Sequence, residues 1–164
     1  MKGSLVVIVV LALALPCLAQ AQPPEPGPEV QRLGFFVGTW KSDTHTVTYE
    51  WFTGGFSLIG RVENTGPEGK SSELRILTYD PDAKEYTQYR ITSTGPGGTL
   101  TRSRDTVTGN TWLSQWDGTE SGKPAKYRFA FVKVTPTSFT AKLEVSVADG
   151  PWTVAYETKG VKTK

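Results

Sequence analysis

Sulfur and imidazole are almost missing from this sequence. It contains one cysteine, one methionine and one histidine in 164 residues. A typical zinc site takes several His or Cys ligands, so His45 with the single Cys17 is not expected to form one. No serine lies in a G-x-S-x-G turn, which leaves His45 without a nucleophile to activate. We therefore predict no metal, no cofactor and no catalytic residue.

Charge of one sign is also scarce. The formal net charge is only +2, and lysine and arginine are spread along the chain rather than clustered. Nucleic-acid and anionic-membrane partners are recognised through dense basic patches. We predict no nucleic-acid partner, and no membrane-spanning segment in the mature chain, because no apolar run after the first residues approaches the length that a bilayer requires.

The one long apolar run lies at residues 5–15, between Lys2 and Pro16. It is followed by Ala19 and Ala21, the small-x-small pattern that signal peptidase cleaves after. We predict a signal peptide at 1–21 and export to the periplasm or beyond. The alternatives are an uncleaved anchor, and a lipoprotein acylated at Cys17, for which Pro16 is a poor preceding residue. Cleavage after Ala21 would remove Cys17 and with it all thiol chemistry.

The mature chain is expected to be a single domain. Residues 22–28 form a proline-rich linker, and residues 29–164 form the domain. A short helix is predicted over residues 29–36, with Val30, Leu33 and Phe36 on one face and Gly38 after its end.

From Gly38 onward, short runs rich in Thr, Val, Ile and aromatics alternate with turn residues. Residues 44–51 are typical, with His45, Val47, Tyr49 and Trp51 on one face and polar residues on the other. About nine to ten antiparallel strands are predicted, because each shows one dry and one wet face. An up-and-down β-barrel removes the sheet edges, and a two-sheet sandwich is the alternative.

Four short motifs are similar to a family pattern. They are Gly38-Thr39-Trp40, Gly54-Gly55-Phe56, Tyr79-Asp80 and the following Tyr86. In this order they resemble a bacterial family of uncharacterised exported calycin-like (lipocalin-like) barrels, and more distantly the nitrobindin-like haem barrels.

The resemblance implies a closed antiparallel barrel with a central cavity. It implies that Trp40, after Gly38, plugs the helix-covered end, that Gly54 and Gly55 form a tight turn, and that Asp80 marks a strand end. The haem barrels ligate iron through a histidine near the C-terminal end. His45 lies near the start instead, so the resemblance does not extend to haem.

Aromatic residues that line an incompletely filled barrel would form a small-molecule pocket. We predict that the ligand is contacted by His45, Tyr49, Trp51, Tyr89, Arg90, Trp112 and Trp116. The expected function is non-catalytic carriage of a small, largely apolar ligand. Such a ligand would be either fully apolar or amphipathic. The alternatives are an enzyme acting inside the barrel, such as a hydrolase or isomerase, and a filled barrel that serves as a structural or interaction protein of the envelope.

Other arginines have two interpretations. Arg102 and Arg104 share a strand face and would either clamp an anion or pair with acids on the outside. Arg61, Glu73 and Arg75 are interpreted as ordinary cross-strand pairs.

Overall fold

A computed structural model describes residues 24–66, 69–93, 99–132 and 134–164. The predicted signal peptide, including Cys17, lies outside the described residues. Within them the chain forms ten strands: β1 (Gly38–Lys41), β2 (His45–Trp51), β3 (Ser57–Gly66), β4 (Gly69–Asp80), β5 (Glu85–Thr92), β6 (Thr99–Thr108), β7 (Thr111–Glu120), β8 (Lys123–Val132), β9 (Ser138–Val147) and β10 (Thr153–Lys162).

Each strand pairs antiparallel with its neighbour in the chain, and β1 also pairs with β10. The sheet is therefore a closed up-and-down barrel, which confirms the predicted fold class and excludes the sandwich. The β1–β10 pairing is the seam of the barrel, with Trp40 opposite Lys162 and Lys41 opposite Val161.

Gly38 allows β1 to approach Lys164, which follows β10, closely at this seam. Its φ is 115°, and a Cβ there would lie 2.2 Å from the carbonyl oxygen of Lys164. The same oxygen accepts a hydrogen bond from the amide of Thr39 at 3.0 Å. A side chain at position 38 would push Lys164 away. This close approach explains why the first residue of the Gly-Thr-Trp motif is a glycine.

The N-terminal segment covers one end of the barrel. Helix α1 (Pro28–Arg32) continues into a 3₁₀ turn (Leu33–Phe35), so the last residue of the predicted linker is already helical. We call this segment, with Phe36, the cap. Its side chains Val30, Leu33 and Phe36 are buried against the barrel, as their spacing predicted.

Two hydrogen bonds tie the cap to the barrel. Trp40 is 2% exposed, and its indole Nε1 donates to the carbonyl oxygen of Phe36 at 2.8 Å. The Tyr86 hydroxyl of β5 donates to the carbonyl oxygen of Glu29 at 2.9 Å. Trp40 thus lies at the covered end, where the family resemblance implied it would be.

Two turn motifs also have the local structure that their residues suggested. Gly54 and Gly55 have φ values of 95° and 76°, and the Gly55 amide donates to the carbonyl oxygen of Phe52. The Asp80 carboxylate accepts from the backbone amides of Asp82 and Ala83 at 2.9 and 3.0 Å. These turns fix where β2 passes to β3 and where β4 passes to β5.

Strands β4, β5 and β6 carry apolar side chains on the outside of the barrel. This outer apolar face consists of Leu74, Ile76, Tyr89, Ile91 and Leu100, each at least one-third exposed. Because side chains alternate along a strand, the polar neighbours of these residues point inward. The interior of the barrel is therefore unusually polar along β4 and β5.

Candidate functional site

The barrel encloses a cavity of about 190 Å³ beneath the cap. One part of its wall is apolar and is formed by Phe36, Trp40, Val47, Phe129, Phe131 and Phe139. The remaining part is polar and is formed by His45, Tyr49, Asn64, Glu73, Arg75, Arg90 and Tyr156. Tyr156 is 46% exposed, whereas the other lining residues are buried or half-buried.

The apolar wall is a packed set of rings. The Phe131 ring lies 5.6 Å from that of Phe36 and 5.0 Å from that of Phe139, and Trp40 lies 5.4 Å from Phe139. These edge-to-face and tilted pairs have the preferred geometry of aromatic contacts. The wall therefore offers a rigid apolar surface to an aromatic or aliphatic group.

A larger groove, about 550 Å³, lies at the surface beside the cap. It is lined by the cap residues Arg32 and Phe35, by turn residues such as Asn110 and Pro136, and by Lys162. It is open to solvent, and the lining that the structure describes holds no buried charged group. The interior cavity is the stronger candidate because it buries several charged side chains.

Arg75 of β4 is the best-satisfied charge in the cavity. Its Nε forms an ion pair with Glu73, and its Nη1 donates to the Tyr49 hydroxyl at 3.2 Å. Burial disfavours its charge, but Tyr49 and Glu73 outweigh burial and raise the pKa of Arg75 above its usual range. Arg75 and Glu73 therefore form a fixed, mutually neutralised pair inside the barrel.

Arg90 of β5 is held differently. Its guanidinium carbon lies 4.0 Å from the ring centroid of Trp116, a cation–π contact. Its Nε is buried and has no hydrogen-bond partner among the described residues. Burial and the charge of Arg75 lower the pKa of Arg90, against Glu73 and Asp105.

Asp105 of β6 lies in a buried layer next to Arg90 but does not line the cavity. It is 1% exposed, and its carboxylate accepts from the Trp112 indole at 2.8 Å and from the Ser103 hydroxyl at 2.9 Å. Burial raises the pKa of Asp105 despite these hydrogen bonds. The carboxylate is occupied by its own partners and forms no ion pair with Arg90 within the described part of the chain.

His45 lines the cavity at the start of β2. Its Nδ1 lies 2.9 Å from the Ser42 hydroxyl, so it is oriented by a serine and not by a carboxylate. Burial, followed by the charge of Arg75, lowers the pKa of His45, and Glu73 opposes this. A neutral imidazole at neutral pH follows.

The titration of His45 can be measured without ambiguity because it is the only histidine. We expect its ring protons to titrate in NMR spectra with a pKa below the ordinary 6.5, since burial disfavours the cation. The unfolded protein then binds more protons in the window below 6.5. The free energy of unfolding should accordingly rise as the pH rises through that window.

The control for this measurement is the same protein in urea, where the His45 pKa should return to its ordinary value. A folded-state pKa at or above the urea value would contradict the buried position of the imidazole.

The structure brings together three of the seven predicted contact residues at the cavity and places a fourth behind them. His45, Tyr49 and Arg90 line the cavity, and Trp116 supports Arg90. Trp112 is buried beneath the cap, where its indole donates to Asp105.

Two predicted contact residues lie elsewhere. Tyr89 is on the outer apolar face, because it lies between the inward-facing Gln88 and Arg90 on β5. Trp51 ends β2 beside Gly34 of the cap and is 39% exposed. Neither side chain reaches the cavity.

The sequence interpretation missed Glu73 and Arg75, which it placed in ordinary cross-strand pairs. They occupy the cavity, and a signal for this was present because they are in phase with Leu77 and Tyr79, two inward-facing residues of the same strand. Of the other arginines, Arg61 pairs with Glu50 on the outside.

Arg102 and Arg104 both reach Glu85 on the outer surface, at 3.4 and 3.8 Å. Of the two interpretations of this pair, the structure shows the solvent-facing one.

Over the described ranges, no group of three or more His, Cys, Asp or Glu side chains is placed to hold a metal ion. No helix in this part of the chain is long and apolar enough to cross a bilayer. No family model matches the sequence, and no curated protein matches it. The function is therefore inferred from the contacts of the cavity itself.

Proposed function

We propose that this chain is an exported, calycin-like binding protein that carries a small amphipathic molecule inside its barrel without transforming it. The observation that carries the proposal is the enclosed cavity of about 190 Å³ with one aromatic wall and one polar wall. Concave sites with apolar walls and a few placed polar groups are typical of small-molecule binding. A cavity of this kind favours the carrier over a filled structural barrel.

The volume of the cavity limits the size of the ligand. Drug-sized ligands occupy pockets of roughly 300–1,000 Å³, and a water molecule takes about 30 Å³ in the liquid. At about 190 Å³, the cavity has room for a single ring with one substituent but not for a long acyl chain.

The lining also changes the expected polarity of the ligand. The sequence favoured a largely apolar ligand, whereas Glu73, Arg75 and Arg90 all lie in the cavity wall. A purely apolar molecule would separate these groups from water without replacing the lost hydrogen bonds. An amphipathic ligand avoids that cost by placing its polar group against the polar wall.

Two features favour carriage over catalysis. His45 is bound to Ser42 rather than to a carboxylate, so it lacks the orienting acid of a typical general base. Arg75 and Glu73 are bound to each other, which leaves Glu73 without a free proton-accepting role. The polar wall is thus arranged to bind a charged or hydrogen-bonding group.

Three probes of one ring size test the proposal: benzoate, benzyl alcohol and benzylamine, each titrated calorimetrically into the purified mature protein. We expect at least one to bind with a Kd between about micromolar and millimolar, the range reached by ligands of so few atoms. Val47→Phe should abolish binding, because Val47 is 5% exposed and lines the cavity.

Val161→Phe is the matched control. Val161 lies at the seam with 53% of its surface exposed, so the same change in size leaves the cavity as it is. If no probe binds, or if Val47→Phe binds as well as Val161→Phe, the interior cavity is not the binding site.

A further inference from the structure

Arg90 is the charged residue of the cavity lining that has no acidic partner in the part of the chain that the structure describes. A guanidinium carries five N–H donors in one plane and cannot lose its charge at physiological pH. The Nε of Arg90 is buried without an acceptor, and no ion pair to this residue is formed within the described ranges. An unsatisfied buried donor is costly, so an acceptor supplied from outside would be bound strongly.

Within the described ranges, the other charged residues of the cavity lining are paired with each other. Arg75 and Glu73 neutralise each other, and His45 is uncharged at neutral pH because its pKa is lowered. Asp105 acts on Arg90 through its charge, but its carboxylate is hydrogen-bonded to Trp112 and Ser103 and does not line the cavity. Among the described residues of the lining, Arg90 is therefore the charged group whose Nε lacks an acceptor, which suits a ligand with a single carboxylate.

Trp116 holds the guanidinium in a defined orientation. The indole stacks on one face of Arg90, and it also stacks on Tyr127 with ring centroids 5.3 Å apart and planes 6° from parallel. The Tyr127 hydroxyl is in turn bound to Glu120 at 2.9 Å. Stacking uses a face of the guanidinium and not its N–H edges, which are the groups that bind the two oxygens of a carboxylate.

The apolar wall supplies the other half of the site. Phe131 packs against both Phe36 of the cap and Phe139, and all three line the cavity. A ring placed against these side chains would be surrounded by aromatic edges and faces.

We propose that the ligand is a small aromatic monocarboxylic acid, whose carboxylate binds the N–H edge of Arg90 and whose ring packs against Phe36, Phe131 and Phe139. The inference rests on the proposed function, because it names the ligand class of the same cavity. Neutral and cationic molecules of the same size leave the charge of Arg90 unmatched and are discriminated against.

The test compares benzoate, benzyl alcohol and benzylamine by calorimetry on the wild-type protein and on Arg90→Met. We expect the wild type to bind benzoate at least about 10-fold more tightly than benzyl alcohol, the gain typical of a hydrogen bond to a charged group. Arg90→Met keeps an unbranched apolar chain at this position but removes the guanidinium, so it should remove this preference. Benzyl alcohol should change by less than about threefold.

Arg102→Met is the matched control, since Arg102 lies on the neighbouring strand, faces outward and pairs with Glu85. It should bind benzoate as the wild type does. Equal wild-type affinity for benzoate and benzyl alcohol, or a preference for benzylamine, would overturn the carboxylate assignment and leave the proposed carrier intact. Binding of none of the three probes would overturn both.

The wild-type comparison needs no variant, so the outcome does not depend on whether Arg90→Met folds. Arg90→Lys provides a second variant that keeps the charge and loses the planar pair of donors. It should retain a preference for benzoate over benzyl alcohol that is smaller than in the wild type. A Lys variant with no preference at all would show that the charge at position 90 does not select the ligand.

Discussion

Phe36→Ala is expected to lower the free energy of unfolding by about 3–5 kcal/mol, the range measured for buried Phe→Ala changes. Phe36 is 4% exposed, and its ring lies 4.9 Å from that of Trp112 and 5.6 Å from that of Tyr49. It joins the cap to the barrel and forms part of the cavity wall. The midpoint of thermal unfolding should fall by roughly 10 °C or more.

The control for this variant is Phe52→Ala. Phe52 is 55% exposed in the turn after β2, so its removal should change the free energy of unfolding by less than about 0.5 kcal/mol. If chemical denaturation shows a loss of unfolding free energy for Phe36→Ala as small as that expected for Phe52→Ala, the cap contributes little to closing the barrel.

Phe36→Ala should also alter ligand size selection. Removing the ring deepens the cavity at its apolar end, so 1-naphthoate should gain affinity relative to benzoate if the ring of the ligand packs there. Both effects come from one side chain because the cap and the cavity share the same wall.

Gly60→Ala is expected to destabilise the barrel by about 1–3 kcal/mol, the usual cost of overpacking. Gly60 of β3 lies opposite Tyr49, and a Cβ at position 60 would come 2.4 Å from the Tyr49 ring. The ring would have to move, and its hydroxyl would leave Arg75. Urea denaturation measures the loss.

A double-mutant cycle with Tyr49→Ala isolates this clash. In the Tyr49→Ala background the methyl group introduced at position 60 meets no ring, so Gly60→Ala should then cost almost nothing. A coupling energy of at least about 1 kcal/mol is expected for residues in direct contact. Additive effects of the two substitutions would show that the tyrosine ring does not rest on Gly60.

Alternation along the chain was enough to predict antiparallel strands, but it left the two-sheet sandwich as an alternative to the barrel. The pattern of His45, Val47 and Tyr49 in β2 and the spacing of Val30, Leu33 and Phe36 in the cap each reflect one buried face. These segments obey the rule that apolar side chains point inward, so periodicity alone identified their buried faces.

The same rule failed on β4, because this strand has apolar residues in both alternation phases. Leu74 and Ile76 point outward, whereas Glu73 and Arg75 point inward in phase with Leu77. Only the pairing of the strands settles the conflict, because Gly60 places Arg75 next to Tyr49. Such long-range register is not visible in a single sequence.

Tyr89 and Arg90 show an error in the predicted ligand contacts that the sequence alone could have revealed. Both were predicted to contact the ligand, but adjacent residues of a strand face opposite sides. Trp112 and Trp116 do share a face, yet four residues of strand separate them by roughly 13 Å, so only Trp116 reaches Arg90. Depth along the barrel depends on the register of all ten strands.

The seam between β1 and β10 has a consequence for how the chain folds. Every other strand pair joins neighbours in sequence, whereas the seam brings together Thr39 and Thr163, which are 124 positions apart. Local hairpins form within microseconds, but distant contacts must first overcome the entropy of closing a long loop. We therefore expect the β1–β10 ladder to form last. Until it forms, the interior of the barrel is open to solvent between β1 and β10. A ligand present during refolding would be enclosed when these two strands pair.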